Sequence, residues 1–250
     1  MATTISRDGD VSIVQLDEGR GNSLSFQTLA ALGQALDSVQ ASDAHALVLT
    51  GVGKVFSAGL DLRACARYDR AQLASYVDAF EALFERVFSY PLPIVAALNG
   101  AAIAGGAVIA LACDVRVMAE SATLALNEVE LGLPFPSMAF EIGRFGYPPA
   151  AHVDGLLLGK SFSAAEACAR GIAAEVASDA VAASVVRAKE FAARDGNAIM
   201  HIKRMLRAEA LARATQNAIH SRRTFVDGFF RPGAQAKINA VVARLERKNG

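Results

Sequence analysis

The chain contains no tryptophan, only three cysteines in 250 residues, and equal numbers of acidic and basic residues. Cys65, Cys113 and Cys168 have no paired spacing, so we expect buried thiols in a reducing compartment and predict a cytoplasmic protein. No apolar run reaches the roughly 18 residues that a membrane helix requires. The first ten residues are polar and lack the apolar core of a signal peptide. Neither membrane insertion nor secretion is therefore predicted.

Motifs of several common enzyme classes are also missing. The four histidines show no metal-ligand spacing, so no metal site is predicted. The sequence Gly-Val-Gly-Lys at 51–54 resembles part of a phosphate-binding loop, but it lacks the first glycine and the Ser/Thr after the lysine. No Gly-x-Ser-x-Gly motif occurs. P-loop nucleotide chemistry and serine hydrolysis are therefore not indicated.

The basic residues are concentrated towards the C-terminus, although the net charge is zero. Residues 187–250 contain fourteen Lys and Arg against five Asp and Glu, whereas residues 1–186 contain eleven against twenty. The basic residues fall at helical spacing among apolar ones, without interleaved aromatics, so nucleic-acid binding is not predicted. We interpret them as a solvated helix face packed on a more acidic body.

Hydrophobic periodicity alternates between strand and helix patterns and predicts an α/β fold. Strands are expected at 11–16, 46–50, 94–98, 115–118 and 123–126, and helices at 26–39, 73–88 and 105–112. From Ser184 onward only helical patterns occur, among them an apolar stripe at Ile238, Val241, Val242 and Leu245. We therefore divide the chain into a core, residues 1–183, and a helical C-terminal region, residues 184–250.

Two glycine-containing segments each follow an apolar run. They are Phe-Ser-Ala-Gly-Leu-Asp-Leu at 56–62 and Asn-Gly-Ala-Ala-Ile-Ala-Gly-Gly-Ala at 99–107. Glycine permits positive φ and lets a ligand approach the main chain closely. Two such turns side by side can aim two backbone N–H groups at one point, which is the geometry of an oxyanion hole.

Together with the strand at 93–98 and Ala-Cys-Asp-Val-Arg at 112–116, these segments resemble the crotonase, or enoyl-CoA hydratase/isomerase, superfamily. The resemblance implies a spiral of ββα units followed by a helical region that serves oligomerisation and acts as a lid. It implies an acyl-CoA thioester substrate, no separate cofactor because coenzyme A is part of the substrate, and a homotrimer or dimer of trimers. It also implies that the N–H groups of Leu60 and Gly105 bind the oxyanion.

Enolate chemistry needs a base, and Glu128 lies among apolar residues at the end of a predicted strand. Burial there would raise the pKa of its carboxyl towards neutrality, which suits a general base. By position, Glu128 matches the glutamate with which family hydratases and isomerases move a proton. Glu130 is interpreted as an exposed carboxylate, although in an extended segment it would share a face with Glu128.

Val108 stands where hydratases of this family carry a second glutamate, three residues after the oxyanion glycine. Valine neither accepts nor donates a proton, and it is also a candidate for the substrate pocket. Residues 126–132, Ala104 and an aliphatic residue at 108 resemble mitochondrial-type Δ3,Δ2-enoyl-CoA isomerases, which implies a double-bond shift by one carboxylate. Two alternatives stay open: a hydratase-like or thioester-hydrolysing enzyme using Glu128 or Glu130, and a non-catalytic acyl-CoA-binding protein.

The residues that would recognise coenzyme A are less distinct. The resemblance places the adenine beside the backbone of Ala58. Lys54 and Arg63 flank that loop and, with Arg20 and the basic C-terminal region, are candidates for contacting the phosphates. A lone basic residue is more often a solvated surface charge, and that alternative stays open. Phe135, in a segment that lacks the glycine-rich turn of hydratases, is a candidate for the acyl pocket.

Overall fold

The computed structural model describes residues 3–19 and 21–247. The strands are β1 (Thr3–Asp8), β2 (Val11–Leu16), β3 (Ala46–Gly51), β4 (Val55–Ser57), β5 (Ile94–Leu98), β6 (Ala101–Ile103), β7 (Val115–Ala119), β8 (Thr123–Ala125), β9 (Phe162–Ser163) and β10 (Glu175–Ala177). The helices are α1 (Phe26–Gln40), α2 (Leu62–Cys65), α3 (Arg70–Phe88), α4 (Gly105–Ala112), α5 (Ser137–Gly146), α6 (Ala164–Ala169), α7 (Ala180–Ala192), α8 (Gly196–Phe229) and α9 (Pro232–Arg247). Shorter helical turns span Glu128–Leu131, Pro149–Ala151 and Val153–Leu157.

The strands form two sheets, with the orders β1-β2-β3-β5-β7-β10 and β4-β6-β8-β9. Neighbouring strands are parallel except for the pairs β1–β2 and β8–β9. Successive stretches of chain contribute one strand to each sheet and then a helix, as β3-β4-α3, β5-β6-α4 and β7-β8-α5. The α/β class and the repeated ββα units are therefore confirmed.

Several helices, α1 and α3 among them, begin at residues whose side chains cap the first turn. The Ser25 hydroxyl accepts a hydrogen bond from the Thr28 N–H at the start of α1. Asp69 and Gln72 form a reciprocal capping box at the start of α3. The apolar stripe of α3 packs in the main core, which explains why this helix was predicted from periodicity alone.

The large sheet is covered on both faces. One face packs in the main core. The opposite face packs on α7 through a separate apolar cluster that includes Val48, Ala97, Val185 and Ala188. The uniform burial of β3 and β5, whose sequences are continuous apolar runs, follows from this double cover. The proposed division between 183 and 184 falls inside α7.

Two features were not predicted. β1 was missed because its side chains are mostly exposed and leave no apolar pattern; the strand pairs with β2 and also contacts α1. Cys168 is half-buried, unlike the buried Cys65 and Cys113, because it lies on the short, partly exposed helix α6. Within residues 3–19 and 21–247, no helix is both long enough and apolar enough to cross a membrane.

Helix α8 packs against α3 and α5 with an inward face that carries two cations. Lys203 Nζ and Arg207 Nη2 lie 2.7 and 2.8 Å from the two carboxylate oxygens of Asp114. The interpretation of the basic residues as a solvated face is therefore wrong for these two, because the buried carboxylate draws them inward. Ile202 and Leu206, on the other side of the helix, are 56% and 65% exposed.

Helix α9 returns to the body of its own chain. Ile238 is fully buried and Val242 is partly buried against the main core, so the same chain covers most of the predicted apolar stripe. Leu245, at the end of the stripe, is exposed. The helix contacts both α2 and the turn Glu128–Leu131, which are the elements next to the candidate site.

Candidate active site

Three adjacent parallel strands of the small sheet, β4, β6 and β8, lead to the candidate residues. The chain leaves β4 three residues before Leu60, β6 two residues before Gly105, and β8 three residues before Glu128. The carboxyl ends of parallel strands lie at one edge of a sheet, where ligands commonly bind in α/β folds. The three residues predicted to act on the substrate therefore follow the same edge.

The two glycine turns touch through their main chains. A Cβ on Gly59 would lie 2.6 Å from the Ile103 carbonyl oxygen and 2.9 Å from the backbone nitrogen of Gly105. Gly59 also has φ +78°, a conformation that glycine adopts without strain. A Cβ on Gly106 would overlap the carbonyl of Ser57. Glycine is required at both positions so that the turns can lie side by side, as the sequence predicts.

Two backbone donors are free at this contact. The N–H groups of Leu60 and Gly105 have no hydrogen-bond acceptor within the described part of the chain. Gly105 is the first residue of α4, where N–H groups have no partner inside the helix. Ala104 before it has φ +49°, which costs about 1–3 kcal/mol for a residue other than glycine, and its N–H donates to Ala125. The oxyanion roles stay a prediction.

Apolar side chains surround the donor from Gly105. A Cβ on this residue would lie 3.1 Å from Cδ1 of Leu24 and 3.3 Å from Cζ of Phe84. A hydrogen bond to developing charge is stronger where apolar groups exclude water. We had not predicted Leu24 and Phe84 as site residues; Phe84 could have been selected only as one of several apolar positions on α3.

Glu128 begins the 3₁₀ turn after β8 and is 8% exposed. Its Oε2 is buried and has no hydrogen-bond partner among the residues that the structure describes. Burial raises the pKa of the carboxyl to about 7, opposed only by a hydrogen bond from its own backbone. Glu128 is therefore buried as predicted, whereas its role as the base stays a prediction; a carboxyl with this pKa can both take and return a proton near neutral pH.

The turn separates Glu128 from Glu130. Glu130 is exposed and its Oε2 accepts a hydrogen bond from Asn127, as expected for a surface carboxylate. Val108 lies on the entirely buried helix α4, where it contributes no titratable group. No group of three or more His, Cys, Asp or Glu in residues 3–19 and 21–247 is arranged to hold a metal ion.

Tyr147 is a neighbour of Glu128 that sequence reasoning missed. Its hydroxyl is buried without a hydrogen-bond partner in the described residues. Burial, and secondarily the negative charge of Glu128, raise the pKa of Tyr147. The ring packs on Phe162, with 5.8 Å between centroids. Nothing in the local sequence distinguishes Tyr147 from an ordinary core aromatic, because its partners lie far away in the chain.

The coenzyme A candidates have different surroundings. Ala58 is exposed and its N–H donates to the Gly21 carbonyl, and Lys54 is exposed. Arg63 Nη2 donates to the Leu245 carbonyl of α9 at 2.8 Å, so part of this guanidinium is already engaged. Phe135 is half-buried against the main core. Arg20 lies outside the described residues.

Comparison with known proteins agrees with this geometry. The family model for enoyl-CoA hydratase/isomerase matches residues 6–248. The human mitochondrial Δ3-Δ2-enoyl-CoA isomerase superposes with a TM-score of 0.92 at 27% identity, covering 100% of both chains. A candidate enoyl-CoA hydratase from Thermus thermophilus is 42% identical over 68% of each chain. A carnitinyl-CoA dehydratase from Salmonella agona is 34% identical over 70% of this chain and 67% of its own. The chain belongs to the enoyl-CoA hydratase/isomerase family, and its fold is that of the crotonase superfamily.

Proposed function

We propose that the protein is an enoyl-CoA isomerase that converts a 3-enoyl-CoA into the conjugated 2-enoyl-CoA. The observation that carries this proposal is that Glu128, at the strand edge, is a buried carboxyl without a hydrogen-bond partner for its Oε2 in the described residues. Glu128 is the buried acid at the strand edge, Glu130 points to solvent, and Val108 is apolar. No charged neighbour contributes to the raised pKa of Glu128. A double-bond shift needs one group that carries a proton, whereas hydration in this family uses two carboxylates.

The proposed reaction moves one proton between two carbons. The thioester oxygen accepts hydrogen bonds from the N–H groups of Leu60 and Gly105. Glu128 removes a proton from C2, and the electron pair spreads over C2, C4 and the thioester oxygen as a dienolate. The same carboxyl then donates the proton to C4, so the product is conjugated and Glu128 is ionised again. One oxyanion donor is worth roughly 3–4 kcal/mol in comparable sites, and acid–base catalysis roughly 10²–10⁴-fold.

Hydration or thioester hydrolysis is the second candidate. Relatives named as a hydratase and a carnitinyl-CoA dehydratase favour it. Either reaction would require Glu128 to activate a water without help from Glu130, which is exposed on the other side of the turn. A binding protein without catalysis is disfavoured, because a buried carboxyl without a partner is costly unless it has a role.

Substrate recognition and assembly form part of the same proposal. Ala58 would contact the adenine and Lys54 the phosphates, whereas Arg63 could offer only the nitrogens that do not bind α9. Val108 and Phe135 would contact the acyl chain. The protein would act in the cytoplasm, without a further cofactor or a metal.

Copies of the chain would form a trimer or a dimer of trimers. The exposed apolar face of α8 supports this part of the proposal, because it is uncovered within one chain. A trimer would bury this face against a neighbouring copy.

A direct assay separates the candidates. The purified protein is mixed with a 3-enoyl-CoA and, separately, with a 2-enoyl-CoA, while absorbance reports conjugation and a thiol reagent reports hydrolysis. We expect absorbance to rise with the first substrate and to change little with the second. Hydration comparable to isomerisation, or release of free coenzyme A, would contradict the single-carboxylate mechanism. Binding without any change in either ester would support the non-catalytic alternative.

A further inference from the structure

A cavity of about 440 Å³ is lined by three arginines from three different elements and, on one side, by Tyr147, the neighbour of Glu128. Arg116 comes from β7, Arg144 from the last turn of α5, and Arg213 from the middle of α8. Pro148 and Pro149 form part of its wall, and their fixed φ angles restrict movement there. None of the residues proposed to act on the acyl-CoA substrate lines this cavity.

Arg116 is held in place by neutral groups alone. Its Nε donates to the Ile172 carbonyl at 2.5 Å and its Nη1 to the Cys113 carbonyl at 3.1 Å. Nη2 has no acceptor in the part of the chain that the structure describes. Burial lowers the pKa of this guanidinium, and the negative charge of nearby Asp114 acts in the opposite direction. The carbonyls fix the direction of the side chain and leave one edge of the fork open.

Arg144 and Arg213 share one buried carboxylate. Glu141 lies 3.5 Å from Arg144 Nη1 and 3.0 Å from Arg213 Nε. Glu209 also contacts Arg213; it is 89% exposed, and Arg144 and Arg213 are themselves 46% and 35% exposed, so water screens all three of these charges in part. Together with Arg116, the cavity therefore holds three guanidinium groups against the single buried charge of Glu141. When Glu209 is counted as well, three guanidinium groups face two carboxylates, which leaves one positive charge in excess.

We infer that this cavity is a binding site for a phosphate group, either inorganic phosphate or the phosphate of a small phosphomonoester. Guanidinium groups donate hydrogen bonds to phosphate oxygens, and the nitrogens that these three arginines leave unengaged come from separate elements, which suits a tetrahedral anion better than a planar carboxylate. The excess of positive charge around the cavity favours an anion. The C-terminal end of α5 opposes an anion through its dipole, but Arg144 in the last turn offsets that effect.

The test is calorimetric titration of the intact protein with sodium phosphate, phenyl phosphate and sodium acetate at constant ionic strength. We expect saturable binding of phosphate or phenyl phosphate, and at least tenfold weaker binding of acetate. Tighter binding of phenyl phosphate than of inorganic phosphate would identify a phosphomonoester as the natural source. Acetate binding as tightly as phosphate, or no saturable binding of any anion, would overturn the inference.

Substitutions of the cavity arginines test whether phosphate binds in this cavity. Arg144→Gln and Arg213→Gln should each weaken phosphate binding at least tenfold, whereas Arg187→Gln, which removes an exposed arginine on α7, should leave it unchanged. Saturating coenzyme A should not compete. Competition by coenzyme A would overturn the inference by placing the phosphate at the substrate site. A change in oligomeric mass in both cavity variants would also overturn it, because the arginines would then bind another copy.

Discussion

At the residue scale, Glu128 and Glu130 are chemically identical but lie in different environments. Glu128→Gln should lower isomerase activity by about 10²–10⁴-fold, because glutamine keeps the shape and loses the proton acceptor. Binding of a non-reactive acyl-CoA should change little. The matched control is Glu130→Gln, which removes an exposed carboxylate two residues away and should retain nearly full activity. If the two variants showed the opposite pattern, Glu130 would be the base.

The pH dependence of stability provides a second test of Glu128. A carboxyl pKa raised from 4.5 to about 7 corresponds to about 3 kcal/mol. Because the folded-state pKa is the higher one, this stabilising contribution is complete below about pH 4.5 and is lost as the pH rises through about 7. Glu128→Gln should therefore be more stable than the wild type at pH 8, by up to about 3 kcal/mol, and equally stable near pH 4.5.

Urea denaturation at the two pH values measures this difference. Glu130→Gln, the same substitution on the exposed side of the turn, should show no such divergence. Equal stability of wild type and Glu128→Gln at pH 8 would mean that Glu128 is not desolvated in the folded protein. Wild-type kcat/KM should rise with pH through about 7, since the ionised carboxylate is the base.

Gly59 and Gly53 share a positive φ but differ in the space around them. Gly53→Ala should cost about 1–2 kcal/mol, since its φ is +73° and a Cβ there meets nothing within 4 Å. Gly59→Ala should cost about 1–3 kcal/mol more, because its Cβ would press on the Ile103 carbonyl and the Gly105 nitrogen. Activity should survive the first substitution and be lost in the second. Thermal melts with parallel assays measure both effects; equal activity in the two variants would show that contact between the glycine turns is dispensable.

At the scale of elements, the attachment of α8 depends on Asp114. Asp114→Asn should lower the free energy of unfolding by about 3–5 kcal/mol, because Lys203 and Arg207 would be left as buried cations without a counter-charge. The control is Asp78→Asn, which breaks an exposed pair with Arg222 and should cost less than about 1 kcal/mol. Chemical denaturation measures the free energy of unfolding of the two variants and of the wild type. Similar losses in both variants would mean that the buried triad adds nothing to the docking of α8.

The same helix shows where prediction from sequence reaches its limit. Periodicity was sufficient for α3 and α4, whose faces are apolar and whose neighbours are other apolar elements. Along α8, Lys203 and Arg207 turn inward while Ile202 is exposed, because the partner carboxylate Asp114 lies about ninety residues earlier in the chain. Local sequence carries no information about such a pairing.

The candidate site likewise contains residues that the sequence could predict and residues that it could not. Glu128 and the glycine turns could be located because burial after a strand and glycine at a turn leave local patterns. Tyr147 and Phe84 could not, because each resembles any other core aromatic until the chain is folded. The strain at Ala104 was also hidden, since alanine gives no indication of a positive φ.

At the scale of the whole molecule, the proposed assembly rests on the outer face of α8. Leu206→Glu should shift the mass measured by light scattering from a trimer or larger towards a monomer, because a charge would then lie in the buried contact. Val186→Glu places the same charge on an equally exposed apolar site of α7 and should leave the mass unchanged. A wild-type monomer at micromolar concentration would rule the proposed assembly out.

The position of α9 has a further consequence for such an assembly. In one and the same chain, this helix contacts both the segment after Leu60 and the turn that begins with Glu128. Each subunit therefore covers its catalytic edge with a helix of its own, and we expect it to work without help from its neighbours. In a mixture of wild-type subunits and subunits inactivated at Glu128, every wild-type copy should work at its full rate, whatever the proportion of inactive subunits in the same oligomer. The assembly would then be a set of independent catalysts held together, not a single catalyst shared among chains.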